Sequence, residues 1–156
     1  MPRLIPPPEK ARWLILVAGL TASIPLYAVV VFVLASSGEA PADPAPAGIR
    51  YGFYGAAFAL ALLALAVAPR VSTDPATALS FDAFLRRTLL SLAIAETSAI
   101  LGLVLFFLGR NLADFLVLAG LALAGSLLGI IPRGLRWFRQ REEAPPGPGA
   151  PPISPG

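Results

Sequence analysis

Glu96 is the one ionisable residue well inside an apolar run of this chain, in the segment from Thr88 to Leu108. A carboxylate near the middle of a membrane-length helix is costly, so it reads first as a functional group. Its chemistry is narrow. It can take up and release H⁺ or Na⁺, or it can act as neutral interhelical glue worth about 0.6–2 kcal/mol per hydrogen bond. No Lys or Arg lies inside the apolar runs to pair with it. At neutral pH it is therefore protonated, hydrogen-bonded within the bundle, or neutralised by an ion from outside. With no Cys and no His, thiol chemistry, disulfides, imidazole bases, Cys/His zinc sites and His-ligated haem drop out. No nucleophile–base pair, metal constellation or phosphate loop is present, so the chain reads as a non-enzyme without cofactor or metal.

The elements that position Glu96 follow from composition. Hydrophobic residues make up 56% of the chain and charged residues 13%, against about 25% charged in a soluble domain. Mean hydropathy is +0.75. Such a chain cannot cover its apolar surface with water-facing groups and reads as a membrane protein. Four apolar spans stand out, 13–34, 51–68, 88–108 and 115–131. Each lies in or near the window of about 17–25 residues for a transmembrane helix. The expected fold is all-α, a four-helix transmembrane bundle.

The basic residues set its direction. Three precede the first span, one lies between the first and second, three between the second and third, one between the third and fourth, and four follow the last. By the positive-inside rule both termini are cytoplasmic, as in a bacterial inner-membrane protein. A net charge of +3 does not point to nucleic acid, because the basic residues flank spans instead of sharing one polar face. The basic start, the first span and Ala35-Ser36-Ser37 also imitate a cleavable signal peptide, although the span exceeds the usual apolar core of about 7–15 residues. Cleavage would leave three spans with the same orientation.

Residues 1–12 and 144–156 are Pro-rich at their ends and are expected to be disordered tails. Asp74-Pro75 predicts a helix N-terminus. Phe81, Phe84 and Leu85, with Asp82, Arg86 and Arg87 between them, predict an interfacial helix running into the third span. Residues 132–143 form a basic, aromatic juxtamembrane segment. Trp13, Arg136, Trp137 and Arg139 are expected at the lipid interface, against anionic headgroups.

A polar layer is expected around Glu96. A rise of about 1.5 Å per residue puts Thr21 of the first span at a depth similar to Glu96. Pro25 removes the N–H that would bond the Thr21 carbonyl, which becomes a candidate partner for a protonated Glu96. Ser23, Thr97, Ser98 and Ser126 are candidates to complete the layer. Gly125 and Gly129 form a GxxxG that invites close helix packing, within the chain or with another copy. Spans one and three also match at an offset of 75 residues, with Arg12 on Arg87, Thr21 on Glu96 and Ser23 on Ser98. That echo suggests two parallel hairpins.

The stretch 93–104, Ala-Ile-Ala-Glu-Thr-Ser-Ala-Ile-Leu-Gly-Leu-Val, resembles the carboxylate helix of rotary ATPase proteolipid (c) subunits. The resemblance implies that Glu96 is an ion-binding carboxylate and Gly102 a packing glycine. The rest of the chain departs from that family. The second span has only Gly52 and Gly55 in place of a dense glycine repeat, the following loop lacks Arg-Gln-Pro, and the outer spans have no place in a two-helix proteolipid. Two functions follow as expectations. One is an accessory or assembly subunit that binds other membrane subunits or its own copies. The other is a proton- or sodium-translocating component that uses Glu96.

Overall fold

The computed structural model describes residues 8–37, 45–70 and 79–143. All regular structure among them is helical: α1 Pro8–Ser36, α2 Ala47–Val67, α3 Phe81–Gly109, α4 Leu112–Ala124 and α5 Ile131–Glu143, with a π-helical turn at Gly125–Ile130 joining the last two. Four helical stretches are long and apolar enough to cross a membrane: Glu9–Ser36, Ala47–Val67, Phe81–Gly109 and Leu112–Arg141. A backbone in hydrocarbon must satisfy its own polar groups, and a continuous helix does so.

The helices extend beyond the apolar runs. Residues 8–12, read above as tail, are the first turns of α1, and residues 132–143 belong to α5. Asp74-Pro75 and the two chain ends lie outside the described residues. α3 is instead capped at Ser80, whose side chain accepts from the Ala83 N–H, and the Phe81–Leu85 turn is continuous with the span, as expected.

α3 is the hub and packs against α1, α2 and α4. Its buried residues Phe84, Thr88, Ser91, Ala95, Ser98, Gly102, Leu105 and Gly109 alternate steps of four and three. That spacing is the seam of left-handed helix packing. α2 meets it with Ala57, Ala61 and Ala64. Because these side chains are small, the backbones approach closely. Ser98 Oγ then donates to the Ala57 carbonyl at 3.2 Å, and Ser91 Oγ to the Ala64 carbonyl at 2.5 Å. Gly102 lies directly on Phe115 and Leu118 of α4.

α1 packs on α3 and α4 and makes no extensive contact with α2. The two parallel hairpins suggested by the sequence echo are therefore not matched: α3 and α4 form a packed hairpin, α1 and α2 do not. The π turn precedes Pro132, which lacks an N–H and whose ring crowds the carbonyl four residues back. The Ile131 N–H instead reaches five residues back to Ser126, and the widened turn makes room for the proline. Within the GxxxG, Gly129 sits on Leu65 of α2, while a Cβ added at Gly125 would face open space.

The end of the bundle that carries both described termini is closed by aromatic rings. Trp137 stacks on Phe84 with centroids 4.1 Å apart, and Phe138 meets Trp13 at 5.5 Å. Trp13 and Trp137 therefore turn inward, 0% and 6% exposed, and do not form the expected lipid-interface belt. The cause is Gly134, whose missing Cβ leaves the space that the Trp13 ring occupies. Arg136 and Arg139 remain exposed.

Candidate functional site

Glu96 lies near the middle of α3 and faces α1. Its Oε1 accepts a hydrogen bond of 2.9 Å from the Tyr27 hydroxyl. Tyr27 belongs to the buried stripe of α1, which runs Trp13, Val17, Leu20, Ile24, Tyr27, Val31, Leu34. These positions also alternate steps of four and three, so the stripe that packs α1 on α3 delivers the hydroxyl to the carboxyl. The Thr21 carbonyl is not the partner of Glu96. Thr21 sits on the same helix, but its own hydroxyl is buried with no hydrogen-bond partner. Tyr27 was missed because its phenol reads as one more aromatic in an apolar run. The one signal the residues offered is its phenol hydroxyl, a donor within the first apolar run.

The expected polar layer does not converge on Glu96. Ser23 donates to the Leu20 carbonyl at 2.7 Å and Thr97 to the Ala93 carbonyl at 3.0 Å. Ser126 donates to the Ala122 carbonyl at 2.9 Å, and Ser98 crosses to α2. All four are occupied by backbone acceptors. Ser23, one turn before Tyr27, also lies against its hydroxyl, so of the expected layer Ser23 alone borders the Tyr27–Glu96 contact between α1 and α3. Glu96 is only partly buried.

A second polar constellation lies at the opposite end of the bundle. Asp114, in the first turn of α4, is 2% exposed. Arg50 of α2 grips it with two hydrogen bonds, Nη2 to Oδ1 at 2.7 Å and Nε to Oδ2 at 3.0 Å. Tyr54, one turn further along α2, donates to Oδ1 at 2.5 Å. The fork of the guanidinium matches both carboxylate oxygens. A tight turn places this group: Arg110 ends α3 with φ of 48°, and Asn111 caps α4 by accepting from the Ala113 N–H. Sequence reasoning missed Asp114 because it sits just outside the apolar run, where a charge draws no notice.

A third cluster is basic. Arg133 Nη1 donates to the Leu65 carbonyl at 2.8 Å. In an uninterrupted helix that carbonyl would accept from residue 69, which is a proline without an N–H. Arg133 fills the vacancy and ties the end of α2 to the start of α5. Among the described residues no group of three or more His, Cys, Asp or Glu side chains could hold a metal ion. Comparison of the chain with known protein families, curated proteins and solved structures gives no match.

Proposed function

We propose that this small polytopic membrane protein sits in a bacterial inner membrane with both termini cytoplasmic and serves as a non-catalytic accessory or assembly subunit of a larger membrane complex. The observation that carries the reading is the Tyr27–Glu96 hydrogen bond. It gives the costly mid-span carboxyl a structural use, joining α1 to the hub helix. The hydroxyls of Ser23, Thr97, Ser98 and Ser126 likewise donate to backbone carbonyls, which supports a structural use for them. The ten-to-two distribution of Arg and Lys supports the orientation. The outer face of α2 supports a partner: Gly48, Gly52 and Gly55 are exposed, and a Cβ added at any of them would meet open space, a surface that a neighbouring helix can approach closely.

A second reading, H⁺ or Na⁺ translocation through Glu96, is favoured by the partial exposure of that residue. Glu96→Gln separates the two, because the amide keeps an acceptor oxygen and cannot titrate. The accessory reading expects the variant to assemble normally, with proteoliposome ion fluxes like those of the wild type and no carbodiimide-sensitive step in either. Loss of a wild-type ion flux in a variant that still assembles would sink it.

A further inference from the structure

Arg70, Arg133 and Arg136 converge with Leu65 on a cavity of about 340 Å³. This is near the lower end of the range of roughly 300–1,000 Å³ for ligand sites. Arg70 follows Pro69 at the end of α2, and Arg133 and Arg136 lie one turn apart on α5. Among the described residues no acidic side chain lines the cavity. None of the three arginines is paired with a carboxylate among the described residues. Three like charges around one cavity repel one another unless an anion sits between them.

The site is also built. The bond from Arg133 to the Leu65 carbonyl fixes that guanidinium at the cavity wall and leaves its other donors for a ligand. Guanidinium forks suit phosphate oxygens in particular. An apolar track leads away from the cavity along the same face of α2: Leu65, then Leu62 at 54% exposed, then Phe58 at 57%. A phosphate held by the arginines would therefore have an apolar surface beside it for an acyl chain.

We infer that this cavity binds the phosphate headgroup of an anionic phospholipid, with its chain along the Phe58–Leu62–Leu65 face. The site is independent of the role of Glu96 and rests only on the membrane-spanning reading. It is more specific than attraction of a basic helix to a charged surface, because it names three arginines and omits Arg139.

The test uses the full-length protein in decylmaltoside, titrated with short-chain phosphatidylglycerol, short-chain phosphatidylcholine or inorganic phosphate. Binding is read by native mass spectrometry and thermal stability by tryptophan fluorescence. Arg70→Gln and Arg136→Gln are the test variants, and Arg139→Gln, on the same basic helix, is the control. Arg70 lies outside any helix, so its variant tests the site without disturbing α5. The expected result is saturable binding of one phosphatidylglycerol per chain, weakened about fivefold by each test variant and unchanged in the control. Equal weakening by Arg139→Gln, or phosphatidylcholine binding as tightly as phosphatidylglycerol, would overturn the site. Inorganic phosphate binding as tightly as phosphatidylglycerol, with the same dependence on Arg70 and Arg136, would overturn the lipid and assign the cavity to a soluble anion.

Discussion

Removing the Tyr27 hydroxyl should loosen α1 from the bundle by a modest and calculable amount. The bond to Glu96 is 2.9 Å long. Charge-assisted O–H···O⁻ bonds are about 2.5–2.7 Å, so this one belongs to the ordinary class. Interhelical hydrogen bonds of that class in membranes average about 0.6 kcal/mol and reach about 1.7. Tyr27→Phe keeps the ring and its packing, so it should destabilise by about 1 kcal/mol. Glu96→Gln keeps an acceptor for the hydroxyl and should cost less. Glu96→Leu removes the acceptor and strands the hydroxyl, so it should cost at least as much as Tyr27→Phe. Combining Tyr27→Phe with Glu96→Leu should then be cheaper than the two single effects added, by about the energy of the bond. Reversible unfolding in mixed micelles measures all four variants against the wild type. A coupling below about 0.3 kcal/mol, within the additivity of independent sites, would refute the contact. So would a Glu96→Gln as damaging as Glu96→Leu.

Two further outcomes follow from packing and charge. A Cβ at Gly134 would lie 2.2 Å from a Trp13 ring atom, in a rigid nest, whereas at Gly129 it would meet only the end of the Leu65 side chain. Overpacking of about 1–3 kcal/mol outweighs the helix-propensity gain of about 1 kcal/mol in the first case and not in the second. Gly134→Ala should therefore lower the unfolding midpoint and Gly129→Ala leave it near the wild type, and the reverse order would contradict the aromatic closure. At the opposite end, Arg50→Ala leaves the buried Asp114 carboxylate with only the Tyr54 hydroxyl and should lower the unfolding midpoint, by less than a fully buried pair would because the arginine is partly screened by solvent. Arg50→Ala combined with Asp114→Leu should recover most of that loss in the same unfolding assay, and no recovery would remove the pair from the account of stability.

The number of membrane-length helical stretches and the mid-span place of Glu96 were legible in the residues alone. Hydrocarbon allows a spanning chain few other forms, so a run of about twenty apolar residues is already a helix. Which face of each helix meets protein was not legible. Lipid tails are as apolar as leucine, so the buried Ile24 and Val31 read the same as the exposed Val29 and Val30. Every partner therefore waited on the packing: Tyr27 for Glu96 in place of the Thr21 carbonyl, Arg50 for Asp114 across 64 residues, and Gly134 for Trp13. Small residues recur along α2, and nothing in their types told that Ala57 and Ala64 would be the ones buried against α3. The tertiary fold decided that, because only when α3 lies between α1 and α2 do its serines reach one neighbour and its carboxyl the other.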